Sequence, residues 1–186
     1  NNVTRLVVSQ PGNTTVGEFT KGGNDYSGCA GSGIVFDDTV VTRPTYHLTQ
    51  GQIKQLNLVL GSPYIPQQMY AGIFFPNSNI TIASITDGTS NVIMAGEHER
   101  LNHPTLDIQQ SFDGWAWGGA ATLFTTRNGV NKRLHYDAAG SNHPGAGNFL
   151  MADGSVKTVT ENLDINIYDN LGTIGFGGPV PPFTGQ

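Results

Sequence analysis

The chain has 186 residues, enough for one domain with a sizeable core, and 37% of them are hydrophobic, which argues against intrinsic disorder. Only 12% are charged, about half the ~25% of an average globular protein, so Asn, Thr, Ser and Gln must supply much of the polar surface. Nine basic against fourteen acidic residues give a net charge of −5, and the longest basic run is Lys132-Arg133, which disfavours nucleic acid and anionic membrane surfaces as partners.

Gly (25) and Pro (10) divide the chain into short segments, as expected for β structure with many turns. In chain order, strands are expected at residues 4–9, 33–41, 72–75, 91–97, 115–126, 147–152 and 155–160, several of them alternating and rich in Val, Ile, Thr and aromatics. A helix is expected over 48–60, where Leu48, Ile53, Leu56, Val59 and Leu60 share a stripe before Gly61-Ser62-Pro63. One or two further turns are expected over 163–171, ended by Gly172. The polar, Gly/Asn-rich stretch 128–147 reads as a long surface loop, and 172–186 as an extended Gly/Pro-rich tail on a single domain spanning 1–186. No internal repeat is visible.

Cys29 is the only cysteine, so an intrachain disulfide and a four-thiolate zinc site are both excluded. Between Gly28 and Ala30 it reads as a small packed side chain. No stretch reaches the ~18 apolar residues of a membrane span, and no basic-then-apolar leader opens the chain. Low charge with abundant Thr, Asn and Gly favours a secreted or cell-envelope location.

Three segments carry chemistry. The first is Phe149-Leu150-Met151-Ala152-Asp153-Gly154-Ser155-Val156-Lys157-Thr158. Asp-Gly between alternating apolar arms predicts a two-residue type I′ hairpin, with Met151 opposite Val156 and Phe149 opposite Thr158 on one buried face. Asp153 then reads first as a turn former and second as a ligand or catalytic group. The second segment is Ile85-Thr86-Asp87-Gly88-Thr89-Ser90-Asn91, a turn leading into a strand that ends at Glu97, whose carboxylate suits a hard cation. The third is Ser141-Asn142-His143-Pro144-Gly145. His143 is open to three readings: metal ligand, general base, or loop histidine bonded to backbone.

Together these segments resemble a known family. His143, nine intervening residues and Asp153-Gly154 are similar to the C-terminal signature of the pilin-like proteins abundant in planctomycetes and related bacteria. The block at 85–91 with Glu97 looks like that family's central motif, and Asn24-Asp25-Tyr26-Ser27-Gly28-Cys29-Ala30-Gly31 resembles its upstream segment. Leu171-Gly172-Thr173 with Gly177-Gly178 fits its closing segment more loosely. The resemblance implies a pseudopilin-like head, similar to the major pseudopilins of type II secretion, with an antiparallel sheet, long loops and few short helices. The expected fold class is therefore α+β, mostly β. Family members begin with a prepilin leader and a long apolar helix; neither is present in these residues. The resemblance also implies a calcium ion in a C-terminal loop, without a ligand set that matches residue by residue.

Calcium takes roughly six to eight oxygens. Oxygen-rich clusters occur at Asp37-Asp38, between Asp107 and Asp113, and at Asp164, Asn166 and Asp169, the last being the expected calcium ligands. None has EF-hand spacing. Zinc is disfavoured, because His98 and His103 are badly spaced for one helix face and no HExxH occurs. No Gly-x-Ser-x-Gly elbow is present. Three Asn-x-Ser/Thr sequons, at Asn2, Asn13 and Asn79, are expected by chance in so Asn- and Thr-rich a chain.

The expected function is a non-enzymatic, pseudopilin-like structural or secretion-associated surface protein, stabilised by calcium, whose partners are envelope proteins or further copies of itself. Two alternatives stand beside it. One is a metal-dependent hydrolase of small-molecule esters or lactones, with His143 as base and Asp153 or Glu97 as metal ligand; the other is a carbohydrate-binding β module using Trp115 and Trp117.

Overall fold

A computed structural model of the chain describes residues 25–32, 71–75, 78–98, 122–132 and 137–176, with the backbone of four two-residue strands at 2–3, 21–22, 34–35 and 46–47. The strands are β1 (Asn2–Val3), β2 (Lys21–Gly22), β3 (Tyr26–Cys29), β4 (Ile34–Val35), β5 (Tyr46–His47), β6 (Ile93–Glu97), β7 (Leu123–Phe124), β8 (Ala146–Met151) and β9 (Val156–Thr160). One α-helix, α1 (Ile165–Leu171), and two 3-10 turns, Ile82–Ser84 and Thr89–Asn91, complete the described elements. The fold is α+β and mostly β.

The central sheet has five strands in the order β7-β3-β6-β8-β9. Three of its four pairings are antiparallel, but β3 and β7 run parallel, so the expected antiparallel sheet is in fact mixed. Two small sheets, β1 with β2 and β4 with β5, lie outside it.

The hairpin β8–β9 corrects the predicted register. Leu150 opposes Val156, Phe149 opposes Lys157 and Asn148 opposes Thr158. The Met151 N–H donates to Ser155 O, and the Gly154 N–H donates to Met151 O, so three residues rather than two form the turn. Positive φ in the turn is confined to Gly154, at 87°, so Asp153 escapes the left-handed strain that a type I′ turn would impose. Because side chains alternate, the one-residue shift matters. Phe149 and Met151 are buried as expected, but Val156 is 67% exposed and Val159 takes the inward position on β9.

The core lies on one face of the sheet. Cys29, Ile93, Phe124, Phe149, Met151 and Val159 pack there against Val130, Ala139 and, from the helix, Tyr168 and Leu171. Phe124, Phe149 and Tyr168 form an edge-to-face chain with 5.9 Å between successive ring centroids. Each such buried large side chain contributes about 1.5–3 kcal/mol. Consecutive Val92 and Ile93 are both buried because alternation points them to opposite sides, each of which is covered. Ile93 enters the main core, whereas Val92 joins a second cluster with Ile85 and Ile174.

Helix α1 matches the turns expected over 163–171. Asp164 caps it by accepting a 2.8 Å hydrogen bond from the Asn166 N–H, and Gly172 follows its last residue. Two other expectations are corrected. Residues 72–75 form no strand; their backbone instead bonds along the end of β3, with Gly72 N–H to Ala30 O and Phe74 N–H to Cys29 O. The stretch expected as a surface loop, 128–147, sends Val130, Ala138 and Ala139 into the interior, drawn by a parallel bridge between Thr125 and Ala138. Of the strand expected over 115–126, the described part is β7 with bridged Thr125. The helix expected over 48–60, and residues 4–9 and 36–41 of two expected strands, lie outside the described residues.

Candidate functional site

Glu97, loop 141–145 and the start of β8 meet around the end of β6. That strand delivers Glu97 to the sheet margin, where its backbone leaves the ladder. The Glu97 carbonyl accepts from the Gly140 N–H, and the His98 N–H donates to Asp25 O beside β3. The Glu97 carboxylate, 13% exposed, turns toward β8 and loop 141–145. Its Oε2 accepts from the Asn148 N–H at 2.8 Å and its Oε1 from the Asn148 amide at 3.4 Å. The Ser141 hydroxyl bonds it too, and His143 Nε2 lies 3.3 Å from Oε1.

These contacts decide the carboxyl's protonation. Desolvation by partial burial favours the neutral acid, but the Asn148 N–H, the Ser141 hydroxyl, the Asn148 amide and the nearby His143 together outweigh it. The net result holds Glu97 below the ordinary carboxylate range, as an anion at neutral pH.

Loop 141–145 is shaped locally. The His143 N–H donates to Ser141 Oγ at 3.1 Å, a turn that Ser favours two residues upstream. The Ser141 N–H donates to Asn131 Oδ1 at 2.8 Å, from an Asn held at φ 59°, a conformation Asn tolerates better than most residues. The His143 side chain is 62% exposed, so its imidazole reaches solvent on one side and Glu97 on the other. Beyond Asn148, its Oδ1 accepts from Thr158 Oγ1 at 2.9 Å on β9. The result is a polar chain, His143–Glu97–Asn148–Thr158, lying across three strands.

His143 and Asp153 are not brought together. They flank opposite ends of β8, which alone spans roughly 17 Å at ~3.3 Å per residue. Asp153 Oδ1 instead accepts from the Ser155 hydroxyl at 2.7 Å and the Ser155 N–H at 2.8 Å. Those bonds, hydroxyl first, hold the Asp153 carboxyl below its usual range. Here Asp153 is a turn former.

The block at 85–91 is a clamp. Asp87 Oδ2 accepts from the Phe176 N–H at 2.6 Å, and the Thr86 N–H donates to Ile174 O. The same block holds the hairpin tip, through Asp153 N–H to Thr89 O and Lys157 Nζ to Ser90 O at 2.8 Å.

The expected calcium ligands sit at α1. Asp164 and Asn166 are exposed, Asp169 is half-buried, and one Asp164 oxygen is engaged in capping. Among the described residues, no three His, Cys, Asp or Glu side chains converge as a metal site would require. Asp37-Asp38, residues 107–113, His103, Trp115 and Trp117 lie outside the described residues. Cys29 is fully buried, with its Sγ 3.6 Å from Gly172 O, and desolvation pushes its thiol up to about 12. It has neither the exposure nor the thiolate character of a nucleophile.

Sequence reasoning offered Asp153 or Glu97 as the carboxylate beside His143, and it is Glu97 that lies there. It missed Asn148, Thr158 and Ser141 as members of the site. The available signal was Asn148 itself, a poor strand former placed between apolar residues.

No curated protein and no solved structure matches this chain. A family model described as protein of unknown function (DUF1559) matches residues 57–166, well over half of the chain. The match takes in the block at 85–91, Glu97, His143 and Asp153-Gly154, while the segments at 24–31 and 171–178 fall outside it. The chain therefore belongs to the DUF1559 family, a planctomycete-type family associated with pilin-like proteins.

Proposed function

We propose that the chain is a pseudopilin-like, non-enzymatic head domain, displayed at the cell envelope or secreted, which works by assembling with envelope proteins or with further copies of itself. Family membership carries the reading. The geometry supports it, because the motif residues are engaged in knitting segments together: Glu97 joins β6 to β8 and loop 141–145, and Asp87 holds residues 174–176. Among the described residues no helix is long and apolar enough to cross a membrane. The experiment is expression of the complete gene with an epitope tag, followed by mechanical shearing of the cells. The tag is expected in the sheared surface fraction or the medium; retention wholly in the cytoplasm would defeat the proposal.

Calcium belongs to this reading as a stabiliser, on the strength of the resemblance to major pseudopilins. Chelation is then expected to lower the melting temperature, and added calcium to restore it. A melting temperature indifferent to both removes calcium from the proposal.

A hydrolytic reading draws on one observation, the exposed His143 imidazole beside an ionised carboxylate, an arrangement that also serves general base catalysis. It would use Glu97 rather than Asp153 as the partner of His143. Turnover of activated esters or lactones that His143→Ala abolishes would establish it in place of the structural reading.

A further inference from the structure

The sheet face opposite the core carries a row of polar and aromatic side chains, in which contacts that knit the strands together also line up across the sheet. Tyr26 on β3 opposes Glu97 on β6, Glu97 bonds Asn148 on β8, and Asn148 opposes Thr158 on β9. Directly opposed residues share a face, so the four form one line across the sheet. Three strand spacings of ~4.8 Å make that line roughly 14 Å long. Tyr26 stands at one end, 61% exposed, in contrast to the buried rings of Phe124, Phe149 and Tyr168. His143, also open to solvent, flanks the middle of the line, and Val156, 67% exposed, neighbours its far end.

We propose that this face binds a neutral oligosaccharide. An exposed tyrosine offers a flat apolar ring with a polar tip, the surface on which the apolar face of a pyranose stacks. Beside it stand a planar carboxylate, a planar amide, a hydroxyl and an imidazole. Each can both satisfy a neighbour and use a remaining lone pair or proton for a sugar hydroxyl. Their mutual hydrogen bonds hold them in place before the ligand arrives, which reduces the ordering that binding requires. The length of the row suits a short oligosaccharide better than a single ring. Charge selects among sugars: the Glu97 carboxylate and the net charge of −5 repel uronates, which disfavours anionic sugars. The inference rests on the sheet and loop 141–145 and stands or falls independently of filament assembly.

The test uses the 186-residue chain with cellotetraose and N-acetyl-chitotetraose, followed by titration calorimetry and by amide chemical shifts. Saturable binding of at least one is expected, with shifts at Tyr26, Asn148 and Thr158. Tyr26→Ala, at an exposed position, is expected to fold normally and to weaken binding by about tenfold or more, while Tyr26→Phe keeps it within about threefold. Absence of saturation by both sugars at millimolar concentration overturns the proposal. Unchanged affinity in a folded Tyr26→Ala variant overturns it too, as does tighter binding of tetragalacturonate than of either neutral sugar.

Discussion

Glu97 shows how one side chain gains a role from its neighbours. Its folded pKa is depressed, so its contribution to stability is present above the unfolded value of about 4.3 and is lost as pH falls through the folded value. Glu97→Gln keeps the shape but removes the charge that strengthens the Asn148 and Ser141 hydrogen bonds, a loss of about 1–2 kcal/mol at pH 7. Urea melts from pH 7 down to pH 3 should show the gap between wild type and variant closing toward the acid end; a gap independent of pH would contradict this account. Cys29 gives the converse case, a reactive atom silenced by burial. Iodoacetamide is expected to leave it unlabelled in native protein and to label it fully in urea, read by mass spectrometry. Burial of Cys29 agrees with its sequence reading as a small packed side chain, whereas the contacts of Glu97 were not visible in the residues alone. Glu97 and its partners lie 44 and 51 positions apart, at Ser141 and Asn148, and only the sheet brings them together.

At the scale of elements, the hairpin was legible and its register was not. Asp153-Gly154 between apolar arms announces a tight turn, but the dipeptide serves both two-residue and three-residue loops. The choice is made by what surrounds the turn: the Asp153 N–H bonded to Thr89 O, and the Ala152 N–H bonded to Val92 O. Gly154→Ala places a Cβ at φ 87° and should destabilise by about 1–2 kcal/mol. Gly96 is constrained differently. It faces Phe149 across the β6–β8 pair, and a Cβ there would overlap the Phe149 ring, which is packed against Phe124 and Tyr168 and has nowhere to move. Gly96→Ala should lower stability by about 1–3 kcal/mol in chemical denaturation, and a neutral result would mean that the ring is less confined than its contacts indicate. Residues 72–75 show why local pattern fails. Their apolar run reads as a strand, yet their backbone bonds to the end of β3 without continuing a ladder.

For the whole molecule, the clamp at 85–91 joins the sheet to the segment after α1. Asp87→Ala removes the acceptor for the Phe176 N–H, and faster hydrogen exchange is expected over 174–176 while β8 and β9 stay protected. Equal acceleration everywhere would show that Asp87 supports the global fold instead. The α+β class followed from the family resemblance, whereas composition and period alone yielded a mostly β chain with many turns, the inward alternation of Phe149 and Met151, and the short helix ended by Gly172. These are local properties, set by side-chain spacing and by backbone preferences of single residues. Tertiary structure alone decided the parallel pairing of β3 with β7, the hairpin register, the inward course of residues 130 and 138–139, and the meeting of His143 with Glu97 rather than Asp153. Those outcomes depend on contacts between distant segments, and spacing along a chain says nothing of which strand ends will lie side by side.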